Sequence, residues 1–411
     1  MEKPQPVSDT VGEQALDTAR PLRILMVHNR YRSVGGEDRS TDAQVALLRS
    51  AGHEVVSLED SNDRVLELGK LHTAVRSAWS RESYGRVGQA LSGQRFDVMH
   101  VQNLFPLFSP SIYYAAHRNR VPVVQSLRNF RTLCPEAMLY RDGRVCTDCV
   151  GKSVAWPAVV HSCYRDSRIG SAAVAATSGG HRLAGTWRRR VALYVTPSQF
   201  ARDSYVSGGW DVNQIEVISN FVFPDPGVGT GDGEFALYAG RLAPPKGIDT
   251  LLEAWRVGGI KFPLRIIGEG PLRPDIEAAA RTNPLIKYFG VVDSAGVADL
   301  MGRATLLVAP TRGIETFGRV AAEAMARGTP AVVANHGGLS EIVTDGHSGY
   351  HFPPGDAAAL VDRVRTLLDD RERLAAMRHA AREEFLVRFR GERILPRWVD
   401  LYRGVAAGAE P

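Results

Sequence analysis

Short β-branched runs recur along the chain, each closing on polar or turn-forming residues: RILMVHN (Arg23–Asn29), HEVVSLE, FDVMHVQN, VPVVQSL and VALYVTPS. Segments of helical period lie between several of them, such as RSTDAQVALLRSAG, which closes on Gly52. Strands that alternate with helices predict parallel sheets joined by right-handed crossovers. Ile215–Glu234, dense in Gly, Pro and Asp, reads as a linker. The alternation then begins again with FALYAG, PLRIIGEG, IKYFGVV, ATLLVAP, PAVVANHG and SGYHFP. Two doubly wound halves joined near residue 225 would face each other across a cleft, with ligands beyond the carboxyl ends of the strands.

Length supports two units: 411 residues exceed one ordinary domain and suit two of roughly 150–200 residues. A 44% hydrophobic and 23% charged composition is that of a soluble globular protein. The net charge of +5 favours anionic ligands or a membrane surface. No helix-turn-helix, zinc-finger or RNA-binding signature points to nucleic acid. Residues 1–20 are polar and read as a disordered tail rather than a secretory signal. No run of about 18 apolar residues exists to span a membrane, so a cytoplasmic protein is expected.

The strand ends carry the candidate chemistry. AGRLAPPKGIDTLLEAW places Arg241 and Lys246 around a Pro-Pro turn before a helix, a pairing that suits a phosphate but equally a solvated basic loop. GEGPLRPDI starts at Gly268 like a dinucleotide fingerprint, but Arg273 stands at the third glycine position, which argues against a nicotinamide dehydrogenase. Gly35 and Gly36 follow the first strand, where a backbone could approach a ligand closely or simply turn.

In RGIETFGRVAAEAMARGTPAVV, Glu315 and Glu323 stand eight residues apart, read as one at a helix mouth and one two turns in. Eight helical residues rise about 12 Å, more than the roughly 5–9.5 Å between paired glycosidase carboxylates. The spacing suits the two ends of an elongated ligand, with the amides of Thr316, Phe317, Gly318 and Arg319 seating a diphosphate between them. The plainer alternative makes Glu315 a capping acid and Glu323 a solvated one.

These motifs together, with VGGED in the first half and IETFGRVAAEAMARGTPAVVANHGGLSEIVTDGHSGYHFPPGD in the second, resemble glycosyltransferase family 4, the retaining GT-B transferases. The likeness runs from about Arg23 to Tyr402 and is most specific over Arg312–Asp356. It implies two Rossmann-like domains, an acceptor domain at 21–222 and a nucleotide-sugar domain at 233–385. A last helix at 386–405 would cross back to the first domain. It implies catalytic roles for Arg241, Lys246 and Glu315, with the two cations neutralising the donor diphosphate. Glu315 and the 316–318 amides would hold the sugar, Glu323 the ribose, and Gly36 would approach the phosphate with Gly35. Gly268, Arg319 and Val320 complete the implied donor set. The donor would be a UDP- or GDP-sugar and no catalytic metal would be needed. The acceptor would be a sugar, lipid-linked or small-molecule hydroxyl.

Three features stand apart. The family has a T-x-H-[DN] pattern after the fourth strand, whereas this chain reads QSLRNFRTLCP, with Arg128 in the histidine's place while Asn129 and Arg131 still fit. An arginine there, with Asn103 nearby, is expected to bind an anionic acceptor; the alternative is an impaired site. Cys134, Cys146, Cys149 and Cys163 are spaced C-x11-C-x2-C-x13-C, which suits a structural zinc as well as four separate thiols. HRLAGTWRRR (His181–Arg190) reads as a solvated helix face or a contact with anionic lipid at the inner face of the membrane. A GT-B epimerase and a silent nucleotide-sugar-binding protein remain the rival functions.

Overall fold

The computed structural model describes residues 20–33, 35–256 and 259–408. The tail expected at residues 1–20 therefore lies, apart from Arg20, outside the described residues.

The first sheet takes β1 (Arg23–Arg30), β2 (Glu54–Ser61), β3 (Val98–Asn103) and β4 (Val123–Ser126). A small antiparallel hairpin, β5 (Tyr140–Arg141) and β6 (Arg144–Val145), interrupts the series. The sheet is completed by β7 (Leu193–Thr196) and β8 (Ile215–Val217), and its order is β2-β1-β3-β4-β7-β8. The second sheet uses β9 (Ala236–Ala239), β10 (Leu264–Ile267), β11 (Ile286–Tyr288), β12 (Leu306–Ala309), β13 (Ala331–Ala334) and β14 (Gly349–Phe352). Its order is β11-β10-β9-β12-β13-β14, again parallel throughout. Each sheet reverses direction once, at β1/β3 and at β9/β12, which places a ligand crevice at the carboxyl ends of those strands.

β1 buries six successive residues, Ile24 to Asn29. A parallel strand covered on both faces has no use for polar alternation, so it reads as an unbroken apolar run. β8 was hidden in the stretch read as a linker: Ile215–Val217 pairs with β7 as an edge strand, and the Gly/Pro-rich connection follows it.

The helix Arg371–Arg388 packs Phe385 on the second sheet, whereas the helix Gly391–Ala407 buries Ile394, Trp398 and Tyr402 against Ile24, Met26 and Val124 of the first. At the return crossing, Val222 of the outgoing connection donates its N–H to Phe389 O and accepts from Gly391 N. Outgoing and returning strands thus cross as a bonded pair. A β-carbon on Gly391 would stand 3.0 Å from Phe223 Cβ, so the small residue is what lets them touch. Among the described residues no helix is long and apolar enough to cross a membrane.

Candidate functional site: the cleft between the two sheets

On the second-domain wall, three loops are locked together by glycine. Gly247 has φ +69°, and a β-carbon there would fall 1.8 Å from Pro310 O. Arg312 and Gly313 both donate their N–H to Pro245 O, which fixes the Pro-Pro turn beneath the end of β12. Gly268 has φ +133°, with a β-carbon 1.9 Å from Gly240 O. Gly338 donates to Glu315 O and faces Thr316 O, where a β-carbon would come within 2.3 Å.

This packing brings Lys246 to Glu315, Nζ to Oε1 at 2.7 Å, and the Thr311 hydroxyl donates to the same oxygen at 2.9 Å. Burial pushes the Glu315 carboxyl upward, but the Lys246 charge and hydrogen bond and the Thr311 hydroxyl outweigh it, so the group lies below the usual carboxylate range. His336 places Nε2 2.8 Å from Thr311 O, and burial lowers its pKa. Arg241 is exposed, its carbonyl accepts from the Tyr238 hydroxyl, and its guanidinium is unpaired among the described residues.

The helix Arg319–Ala326 starts after Gly318, a left-handed residue at φ +100° with no side-chain cap. Ala321 N–H returns to Gly318 O, which leaves the amides of Arg319 and Val320 for a ligand. Glu315 precedes this helix, so the expected rise of eight helical residues between Glu315 and Glu323 is wrong. The chain turns through Thr316–Gly318 before the helix begins. Several expected ligand groups already have partners. Glu323 Oε1 accepts from Arg319 Nε at 2.6 Å, and Arg319 also donates to the Ser40 hydroxyl across the cleft. The Thr316 hydroxyl donates to Arg128 O at 2.8 Å, and Thr316 O accepts from Ser198. Phe317 is buried with its ring edge-on to Phe389, which leaves only its backbone for a ligand. Val320 packs partly into the same cluster.

On the first-domain wall, Gly35 caps the helix Gly36–Ser50 and gives its N–H to Asp38 Oδ2, while Asp38 Oδ1 meets His28 Nε2 at 2.8 Å. A β-carbon on Gly36 would meet Arg319 Cδ at 4.0 Å, so the two walls touch here. Glu37 beside it accepts from Asn129 Nδ2 and from the Tyr31 hydroxyl. Sequence reasoning passed over Glu37, although an acid in the first turn after a glycine pair was there to be read. It also missed Glu341, whose carboxylate caps the helix Gln199–Ser207 from the other domain by accepting the N–H groups of Gln199 and Phe200.

Arg128 differs most from expectation. Its Nε donates to Gln102 Oε1 at 2.8 Å, one terminal nitrogen to Gln44 Oε1 at 3.2 Å, and the other to Asn220 Oδ1. None of these partners is charged. Burial lowers its pKa to about 10, with Glu37 opposing and Arg319 adding to that shift. Gln44 and His100 both bond the Tyr402 hydroxyl, so Arg128 belongs to a network that reaches the last helix. The guanidinium is thus held by the first domain's own side chains, although Arg128 also lines the cavity behind it. Asn103 is likewise engaged, donating to Asn29 O and accepting from Phe105 N. Arg131 lies over the Phe105 ring and donates to Pro135 O. Behind these residues is a cavity of about 70 Å³, walled by Phe105, Tyr113, Trp187, Tyr205 and Trp210.

The four thiols are free, with Cys149 buried and the others half-buried. Burial raises the Cys149 thiol to about 11, and Cys134, Cys163 and Cys146 add to the shift, so the four share one patch. Among the described residues, however, no three His, Cys, Asp or Glu side chains are gathered closely enough to hold a metal ion, so the zinc ligand set expected from the spacing is not assembled. The basic tract is not one continuous helix. Its chain breaks at left-handed Gly185, and Trp187 turns inward, donating to Ser178 O and packing edge-on to Tyr113.

Comparison with known proteins follows this geometry. Residues 227–384 match the family model described as glycosyl transferases group 1. The second half of the chain is thus similar to group 1 glycosyl transferases. Family 4 is consistent with that match. An uncharacterized glycosyltransferase of Methanocaldococcus jannaschii is 35% identical over 162 residues, 39% of this chain and 45% of that protein. The phosphatidyl-myo-inositol mannosyltransferase of Mycobacterium leprae is 37% identical over 153 residues, 35% of this chain and 40% of that protein. The chain thus spans less than half the length of these curated relatives. Solved structures extend the likeness in fold alone. Anabaena HepE in complex with UDP and glucose superposes with TM-score 0.66 at 17% identity, covering 93% of this chain and all of that one. Sucrose-phosphate synthase from Thermosynechococcus elongatus gives 0.68 at 17%, covering 94% and 100%. The GT-B fold therefore extends over both sheets.

Proposed function

We propose that this GT-B protein moves a sugar, with retention, from a nucleoside-diphosphate donor to a hydroxyl acceptor. The observation that carries the reading is the Lys246–Glu315–Thr311 cluster beside the uncapped start of the Arg319–Ala326 helix. It sets a cation, an ionised carboxylate and open amides side by side on one wall of the crevice. Support for a nucleotide-sugar donor comes from the family match and from neighbours such as HepE, which was solved with UDP.

The cleft's charges suit such a departure. As the anomeric carbon–oxygen bond breaks, negative charge grows on the β-phosphate. Lys246 has three N–H donors, so it can keep Glu315 and still hold a phosphate oxygen. Arg241, exposed and unpaired at the same strand end, is the second cation. Pre-placed positive charge there favours the transition state over the bound donor. Glu315, kept ionised, would accept from the sugar's hydroxyls. The acceptor oxygen bonds the anomeric carbon from the face the phosphate leaves, its proton passes to a phosphate oxygen, and the nucleoside diphosphate departs.

The test is calorimetry against a panel of UDP- and GDP-sugars, followed by mass spectrometry of products with candidate acceptors. One donor should bind and give a glycosylated acceptor. Lys246→Ala should lose roughly 2–4 kcal/mol of transition-state stabilisation, about 30- to 1,000-fold in kcat/KM. Epimer released without acceptor, or tight binding without turnover, would replace the proposal with an epimerase or a silent binding protein.

A further inference from the structure

The fold turns one outer face of the first domain into a surface that is both apolar and cationic. The helix Arg168–Leu183 lines the first-domain cavity with Val174, Thr177 and Ser178. Its opposite face carries Ile169, Ala176, Gly180 and Leu183, spaced seven, four and three residues apart, so they stack on one side of the helix. Ile169 is 85% exposed and Leu183 75%. A solvated helix face normally carries charge; this row has none.

Neighbouring elements extend the patch. Ala78 O is bonded by His181 Nε2, which sets the end of the helix Lys70–Ala78 beside Leu183. Val75 and Trp79 on that side are exposed, and Trp79 leans on Tyr114, over whose ring Arg190 lies. Arg188 and Arg189 are exposed just beyond Leu183.

Charge identifies the occupant. Residues 151–190 hold seven basic side chains against one acidic one, Asp166, a formal +6. The whole chain carries +5, so everything outside those forty residues carries −1. A second copy would bring two such cationic faces together, which is repulsive. A folded anionic protein or a nucleic acid would pair with the arginines but leave Ile169 and Leu183 without an apolar partner. An anionic bilayer supplies both, headgroup charge for the arginines and acyl boundary for the aliphatic row.

We propose that the Arg168–Leu183 helix and the adjoining Thr186–Arg190 turn dock the protein on an anionic membrane surface. The cavity beneath the same helix then lies one helix thickness from the bilayer. This docking stands apart from the transferase reading and is tested without any sugar.

The full-length chain is sedimented with extruded vesicles of phosphatidylcholine alone or with a quarter phosphatidylglycerol, at low and at 0.5 M salt. Binding should require phosphatidylglycerol and fall with salt. Arg188→Ala with Arg189→Ala should weaken partitioning by about 30-fold, at about five-fold per arginine. Ile169→Glu with Leu183→Glu should abolish it. Both double variants should keep the wild-type thermal midpoint and nucleotide affinity, since neither pair touches the cleft. Equal binding to neutral vesicles, retention by the glutamate variant, or binding to an oligonucleotide without vesicle binding would overturn the proposal. So would a concentration-dependent dimer that the glutamate variant dissolves.

Discussion

Across the cleft the two walls hold their polar groups by different means. The second-domain wall is set by backbone: Gly247, Gly268 and Gly338 each admit a carbonyl oxygen within 2.3 Å of where a β-carbon would stand. The first-domain wall is set by side chains: Arg128, Gln102, Gln44, His100 and Tyr402 hold one another through hydrogen bonds. Backbone demands tolerate almost no substitution, whereas a side-chain network can be rebuilt from other amides and hydroxyls. The contrast makes the second-domain wall the rigid one.

The largest expected effect tests the rigid wall. Gly247→Ala places a β-carbon on Pro310 O and holds alanine at a positive φ. Strain and overpacking together should cost roughly 3 kcal/mol of stability, read as a lower denaturation midpoint. Donor affinity should fall with it, because Pro244–Lys246 would be displaced from the end of β12. A variant within about 0.5 kcal/mol of wild type, the range of ordinary surface changes, would remove the distinction between the walls.

Legibility in the sequence follows the same division. The strand-helix alternation was readable because parallel strands buried on both faces are continuous apolar runs, whereas the roles given to Arg241, Lys246 and Glu315 rest on the family resemblance; the structure adds that Lys246 and Glu315 meet. Two local readings failed for physical reasons. Ile215–Val217 is only three residues long and abuts turn-formers, so an edge strand was taken as linker. Glu315 was placed on a helix because nothing in ETFGR marks the left-handed turn at Gly318 except its glycine. The partners of Arg128 could not be read from the sequence. They lie 84, 26 and 92 residues away, at Gln44, Gln102 and Asn220, and no periodicity joins them.

A smaller effect separates two roles for Arg128. If it binds the interior network, Arg128→Gln strands the Gln102 and Asn220 acceptors and should lower stability by about 1–2 kcal/mol. Acceptor KM should then change less than three-fold. If instead it binds an anionic acceptor, acceptor KM should rise ten-fold or more while the denaturation midpoint hardly moves. Urea titration beside acceptor kinetics decides between them, and the second result would restore the reading drawn from the sequence.

The smallest effect is a slope with pH. His100 is fully buried between Tyr402 and Ser126, and its pKa lies well below 6.5, through burial first and the Arg128 charge second. In the unfolded chain the same imidazole takes a proton near pH 6.5. As pH falls below 6.5 the unfolded state binds a proton that the folded state refuses, so stability declines by up to about 1.4 kcal/mol per unit for this group. Above 6.5 the contribution is fully present and flat. Glu315 acts in a different window: its folded pKa is depressed below 4.5, so its contribution holds above 4.5 and is lost only as pH falls further. Between pH 6.5 and 5 the loss therefore comes from buried imidazoles and not from the donor-side carboxylate, while Glu136, raised by burial, acts in the opposite sense. Denaturation midpoints for wild type and His100→Gln across pH 5.0–7.5 measure it. The glutamine variant should be less stable at pH 7.5, having lost part of its bonding to Ser126 and Tyr402, yet should lose less on acidification. Parallel curves would mean that His100 is not the group that refuses the proton, and that His53, His181 or His336, each also lowered by burial, sets the slope.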